Sequence, residues 1–169
     1  MKKFLAATLA VAAFATMSFA QITVSVSPEL AIPVGDMADV TGIGIGGTGR
    51  ATYNVKPNLS VGLNIGYIIM GEKGNATSSL VPVELVAIHK CVKVPGLYGG
   101  LQIGTNIWMS DVSGVDTEMK FSAAPFIGYS YKVNDNVSVN GDVRYQYAGK
   151  FGDNHNQYVG VRLGVNYAL

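Results

Sequence analysis

The sequence predicts an all-β fold, an eight-stranded antiparallel up-and-down barrel, and two observations carry that expectation. Residues 53–67 read Y-N-V-K-P-N-L-S-V-G-L-N-I-G-Y, with Val61, Leu63, Ile65 and Tyr67 alternating with Gly62, Asn64 and Gly66. A period of two marks a strand with one greasy face and one small or polar face. The phrase returns 78 residues later, as Y-K-V-N-D-N-V-S-V-N-G-D-V-R-Y over 131–145. Tyr53 then matches Tyr131, Val55 matches Val133, Ser60 matches Ser138 and Tyr67 matches Tyr145. Two hairpins of one design, with tyrosines at equal heights, point to a barrel of repeated hairpins.

Taken in order, residues 1–20 have the layout of a cleaved secretory signal. Lys2 and Lys3 make a basic start, 4–17 an apolar core, and Ser18-Phe19-Ala20 a small-x-small cleavage site. A barrel domain over 21–169 is expected to follow. Its first apolar row is Ile22, Val24, Val26, Leu30 and Ile32, and 35–40 reads as a loop. The second row is Ile43, Ile45, Ala51, Tyr53 and Val55, ending in the Lys56-Pro57-Asn58 reversal. The third runs to Met70, the polar stretch 71–78 follows, and Val81, Val83, Leu85 and Ala87 form the fourth. After Val94-Pro95-Gly96, Leu97, Leu101, Ile103 and Ile107 make the fifth row, opposed by Tyr98, Gln102 and Asn106. Residues 110–118 are polar; Phe121, Ala123, Ile127, Tyr129 and Tyr131 make the sixth row. The Asn134-Asp135-Asn136 turn leads to the seventh, Val137, Val139, Val143, Tyr145 and Tyr147. A fourth polar loop covers 149–156, and the row from Val159 to Leu169 closes the chain. Eight strands with short and long connections in alternation suit a closed barrel, which has no free edge. Pro28 and Pro125 fall inside strands, so a bulge or local break is expected at each.

Charge placement decides which solvent the apolar face meets. Charged residues are 14% of the chain, against about 25% in ordinary soluble domains. The apolar rows contain no Asp, Glu, Lys or Arg, and His89 is their one ionisable exception apart from Cys91 and the tyrosines. Glu29, Arg50, Glu84, Lys90, Lys120, Asp142, Arg144 and Arg162 all fall on the opposite face, with most of the strand glycines. Small residues suit a narrow lumen, and Tyr98, Phe126 and Tyr158 can fill the gaps they leave. The apolar rows then face lipid, which makes this a transmembrane barrel. Tyr53, Tyr129, Tyr131 and Tyr167 would line one membrane interface, and Tyr67, Tyr145 and Tyr147 the other. The exported alternative is a soluble calycin-like barrel binding a small apolar ligand, which needs an apolar cavity instead of charges.

With its signal segment, eight strands and the repeated N-x-[LV]-S-V turn-strand phrase, the chain resembles the small outer-membrane β-barrel proteins, the OmpA/OmpX-like porin-superfamily domain. The resemblance implies an outer-membrane location, a lipid-embedded monomer, a plugged lumen and a structural role. It also implies recognition of the last strand by the barrel-assembly machinery. The family usually ends that strand on an aromatic residue, whereas V-N-Y-A-L keeps Tyr167 third from last and places Leu169 last.

Inside the barrel an ion-pair cluster of Glu29, Arg50, Glu84, Asp142, Arg144 and Arg162 is expected. Glu29 is in reach of Arg50 and Arg162, Asp142 of Arg162, and Arg144 of Glu84 across the lumen. Nothing in the sequence calls for an enzyme, cofactor, metal or nucleic acid. The string over 44–49 matches G-x-G-x-x-G, but strand pattern runs straight through it and the motif works only at a strand-to-helix junction. Asp153 and His155 share a loop without a serine or second carboxylate placed beside them. His89 and Cys91 are two ligands at most, too few for a metal site. The net charge of +1 and the lack of basic runs argue against nucleic acid.

Overall fold

A computed structural model describes residues 22–72, 78–110, 117–151 and 154–169. The proposed signal segment and Asp153 lie outside the described residues. Eight antiparallel strands close into a barrel in sequence order: β1 (Ile22–Val34), β2 (Thr41–Lys56), β3 (Leu59–Glu72), β4 (Ser78–Lys90), β5 (Leu97–Ser110), β6 (Glu118–Lys132), β7 (Val137–Phe151) and β8 (Asn154–Ala168). β1 pairs with both β2 and β8, which removes the edges an open sheet would leave unpaired. The two repeated hairpins have the same cross-strand partners, Tyr53 opposite Val61 and Tyr131 opposite Val139.

The tight connections lie at one end with both described termini, here the turn end. Their chemistry is local. Gly96 takes a positive φ and the Leu97 amide donates back to the Val94 carbonyl at 3.1 Å. Asn134 Oδ1 accepts from the amides of Asn136 and Val137 at 3.0 and 2.8 Å, an Asx-type turn.

At the loop end the expected loop over 35–40 is instead a five-residue helix, α1 (Asp36–Val40). Its cause is tertiary: Met37 is fully buried among Ala31, Ile68, Met70, Leu80 and Tyr158, and so closes the lumen at that end. One helical turn carries too little periodicity to be read from sequence. The expected fourth loop is also shorter than its polar composition suggests, because β7 and β8 extend into it.

Side chains alternate between lumen and outer surface. On β4, Leu85 is 67% exposed while its neighbour Glu84 is 1% exposed. The outward face carries Val26, Ile45, Leu63, Ile65, Phe121 and Leu163, all exposed. A polar, buried interior with an apolar exterior inverts the arrangement of a water-soluble barrel.

The prolines are accommodated by broken ladders without register shifts. Around Pro28 the β1–β8 pairing lapses between Val26–Val165 and Glu29–Arg162, while its β2 partner Gly47 stays in register. Around Pro125 the β6–β7 pairing lapses between Ala123–Tyr147 and Phe126–Arg144. Pro82, unremarked in the sequence, does the same between β3 and β4. Each residue of an antiparallel strand directs its N–H to one neighbour only, so a missing N–H interrupts one ladder and spares the other. The register does shift between Tyr147 and Lys150, where Gly149 has φ +103°. A Cβ there would strike the Lys120 side chain. Gly149→Ala should therefore cost about 1–2 kcal/mol in urea unfolding, whereas Gly49→Ala, which points into open space, should not destabilise the barrel.

Candidate functional site

The lumen is filled in layers. Nearest the loop end is the apolar plug around Met37, against which Trp108 packs while its indole Nε1 donates to the Ala148 carbonyl at 2.9 Å. Below it lies a polar layer centred on Arg144. Val86, Ile88, Tyr98 and Phe126 form a second apolar cluster, and beyond it a vestibule opens at the turn end.

Arg144 projects from the middle of β7 and is fully buried. Its Nε and Nη2 donate to the two carboxylate oxygens of Glu29 at 2.9 and 3.0 Å, a bidentate pair. Its Nη1 donates to Glu84 Oε2 at 3.2 Å and to Gln102 Oε1 at 3.0 Å. Nη2 also donates to the Tyr158 hydroxyl at 2.7 Å. Glu84 accepts further bonds from Asn64 Nδ2 at 3.3 Å, from Gln146 Nε2 at 2.8 Å and from the Ser122 hydroxyl. One guanidinium thus ties β1, β4, β5 and β8 to β7 across the barrel axis.

A second cluster surrounds Asp142. Arg162 Nε donates to Asp142 Oδ1 at 2.6 Å, Arg50 Nη2 stands 3.6 Å from Oδ2, and the Tyr98 hydroxyl donates to Oδ2 at 3.1 Å. Both guanidiniums also lie over the Phe126 ring, at 5.2 and 5.8 Å from its centroid. Phe126 in turn meets Tyr98 edge-on at 6.2 Å.

These contacts place all six expected charged residues in the lumen. Asp142 meets Arg162 and Arg144 meets Glu84, the expected neighbours. Glu29 does not pair with Arg50 or Arg162; its partner is Arg144. The reason is Gly160, which lies opposite Arg144 in the β7–β8 register. A Cβ at that position would strike both Glu29 Oε1 and the Arg144 side chain, so the absence of one lets the guanidinium pass over β8 to β1. Arg162 stands between Glu29 on β1 and Asp142 on β7, directly opposite both, and its Nε turns to Asp142 while Glu29 is taken by Arg144. Sequence reasoning passed over Gln102, Gln146, Ser122 and Asn64 as network members. Their signal was available, since each lies on the lumen parity of its strand at a height near the charges.

The seven expected girdle tyrosines all lie on the outward parity of their strands. Tyr53, Tyr129, Tyr131 and Tyr167 sit towards the turn end, and Tyr67, Tyr145 and Tyr147 towards the loop end. Two of the latter are tied down, the Tyr67 hydroxyl to Ser79 Oγ at 3.0 Å and the Tyr145 hydroxyl to Gln157 Oε1 at 2.6 Å.

The other candidates form no chemical centre among the described residues. β2 runs unbroken through 44–49. His155 is exposed, its ring 6.0 Å from that of Tyr147 and its backbone amide donating to Asp36 Oδ2 at 3.0 Å. His89 Nε2 lies 3.2 Å from Asn58 Nδ2. Among the described residues no cluster of three or more His, Cys, Asp or Glu could hold a metal.

Closed eight-stranded topology, an outward apolar belt and a charged, filled interior define a small transmembrane barrel of the outer-membrane type. In agreement, residues 98–169 match the model of the family described as "Opacity family porin protein". Among solved structures the chain resembles Neisserial surface protein A (NspA), with a TM-score of 0.73 at 19% identity, covering 88% of this chain and 97% of that one. It resembles Ail, the attachment invasion locus protein of Yersinia pestis, with a TM-score of 0.60 at 16% identity, covering 86% and 96%. Outer membrane protein OprG from Pseudomonas aeruginosa gives 0.58 at 12% identity, covering 86% and 94%. At these identities the likeness is one of fold. No curated protein sequence matches the chain significantly.

Proposed function

We propose that this is a structural outer-membrane barrel with a plugged lumen, serving envelope integrity or surface contact and not solute transport or catalysis. The observation that carries the reading is Arg144, fully buried and bonded across the axis to Glu29 and Glu84. A solute path along the axis would have to break that bridge and displace the Met37 plug as well. Eight strands leave an interior that side chains can fill, and here they do. The charged interior also argues against a soluble barrel holding an apolar ligand.

In this reading the turn end faces the periplasm and the loop end the exterior, with the β8 strand presented to the assembly machinery and the folded barrel a monomer. A surface-contact role would belong to the loop end, and it would be of the kind that Ail, an attachment invasion locus protein, carries in its name. The test is twofold. The mature protein should fractionate with the outer membrane and show heat-modifiable mobility on gels. Reconstituted in planar bilayers, it should give no steady ohmic conductance. A stable open pore of fixed conductance would overturn the plugged-lumen assignment.

A further inference from the structure

We propose that the turn-end vestibule is a binding site for a phosphate-type oxyanion. The cavity measures about 420 Å³ and is walled by lumen-facing side chains of the strands and by the turn over 133–136. Arg50 forms its floor, Lys90 and Lys132 its flanks.

Charge balance is the first argument. Lys132 is matched by Asp135 at 2.9 Å, and that hydrogen bond holds the Asp135 carboxyl below the usual carboxylate range. Lys90 Nζ donates at 3.0 Å to Asn54 Oδ1, a neutral acceptor, and meets no carboxylate among the described residues. Arg50 and Arg162 share the single carboxylate of Asp142. Among the described residues Lys90 is therefore left without a counter-charge at the cavity, while the three lumen arginines are balanced by Glu29, Glu84 and Asp142. Residues 1–21 contain no Asp or Glu that could supply one.

Unpartnered donors are the second argument, and they are independent of charge. The Arg50 side chain is 9% exposed, yet its Nε has no hydrogen-bond partner; behind it, both Nη atoms of Arg162 are equally unpartnered. A buried donor without an acceptor costs roughly 1–3 kcal/mol, and of these two arginines Arg50 lines the cavity, so turning its guanidinium onto an anion there would satisfy a donor that now has no acceptor. Three of the wall hydroxyls are engaged elsewhere: Ser25 donates to Asn166 Oδ1 and Ser60 to Asn54 Oδ1, both at 2.6 Å, and Thr52 to the Thr23 carbonyl at 3.4 Å. The charged donors for recognition are the Arg50 guanidinium and the Lys90 ammonium, with the Thr23, Ser130 and Ser138 hydroxyls on the same wall. The charged pair suits an anion with several acceptor oxygens, whether free phosphate or a lipid phosphate reaching in from the rim.

The test uses the folded barrel in zwitterionic nanodiscs in chloride buffer, titrated with inorganic phosphate. Calorimetry should show saturable binding, and the Arg50 Nε–H resonance should shift with the same midpoint. Arg50→Gln and Lys90→Gln should each weaken binding about tenfold or more, the loss of one charge-assisted bond. A second arm replaces free phosphate with nanodiscs containing phosphatidylglycerol. A saturating Arg50 shift in that arm alone assigns the site to a lipid headgroup, and a shift with free phosphate assigns it to a soluble anion; either supports the site. A non-saturating drift in both arms overturns it. So does binding that is unchanged in both variants, once heat-modifiable mobility shows them folded.

Discussion

Arg144→Met should destabilise the barrel by about 3–5 kcal/mol, the cost of breaking a buried ion pair from one side. The two carboxylates it abandons are not equivalent, and that difference makes the prediction specific. Glu84 would still accept bonds from Asn64, Ser122 and Gln146. Glu29 would lose the only hydrogen bonds it accepts among the described residues, both of which come from Arg144. Adding Glu29→Gln to Arg144→Met should therefore recover more stability than adding Glu84→Gln. The fully neutral combination of Arg144→Met, Glu29→Gln and Glu84→Gln should approach the parent protein, because a buried ion cluster is worth little against a well-packed neutral one. Urea titration of liposome-folded protein, followed by heat-modifiable mobility and Trp108 fluorescence, measures all four. Equal rescue by either glutamine would mean that Glu29 has another partner, contrary to the geometry.

The partition of the chain between lumen and lipid was legible because strand parity is arithmetic. Once Val61, Leu63 and Ile65 are set outward, every neighbour two residues along follows, and closure leaves no strand free to invert. The lumen location of the six charged residues comes from the same rule. Which charge meets which did not follow from it. Side chains as long as Arg144 reach beyond adjacent strands, and their route depends on where a glycine such as Gly160 leaves space. Parity also hides apolar residues on the polar face. Leu80, Val86 and Ile88 face inward beside Glu84, and they form parts of the two apolar layers that bound the ionic one. Helix α1 was illegible for a related reason: it exists to seat Met37 over the lumen, a contact that no five-residue window encodes.

Leu85→Arg should cost about 2–4 kcal/mol when the protein is folded into bilayers, the penalty for an arginine near the membrane midplane on the lipid-facing side of a barrel. Leu85 sits near the middle of β4, outward and mostly exposed, between the lumen-facing Glu84 and Val86. In water the same substitution would exchange an exposed leucine for a charge, a change expected to lie within about 0.5 kcal/mol of neutral. The experiment thus reads the solvent on the outer face directly. Leu85→Ala separates lost apolar contact from the penalty on charge and should cost clearly less than Leu85→Arg in bilayers. Moving the arginine along the outward row to Ala87 and then His89, towards the turn end, should reduce the penalty stepwise as the side chain nears the interface. A flat profile along those three positions, or a small penalty at Leu85 itself, would place water against the apolar belt and remove the basis for a membrane-spanning barrel.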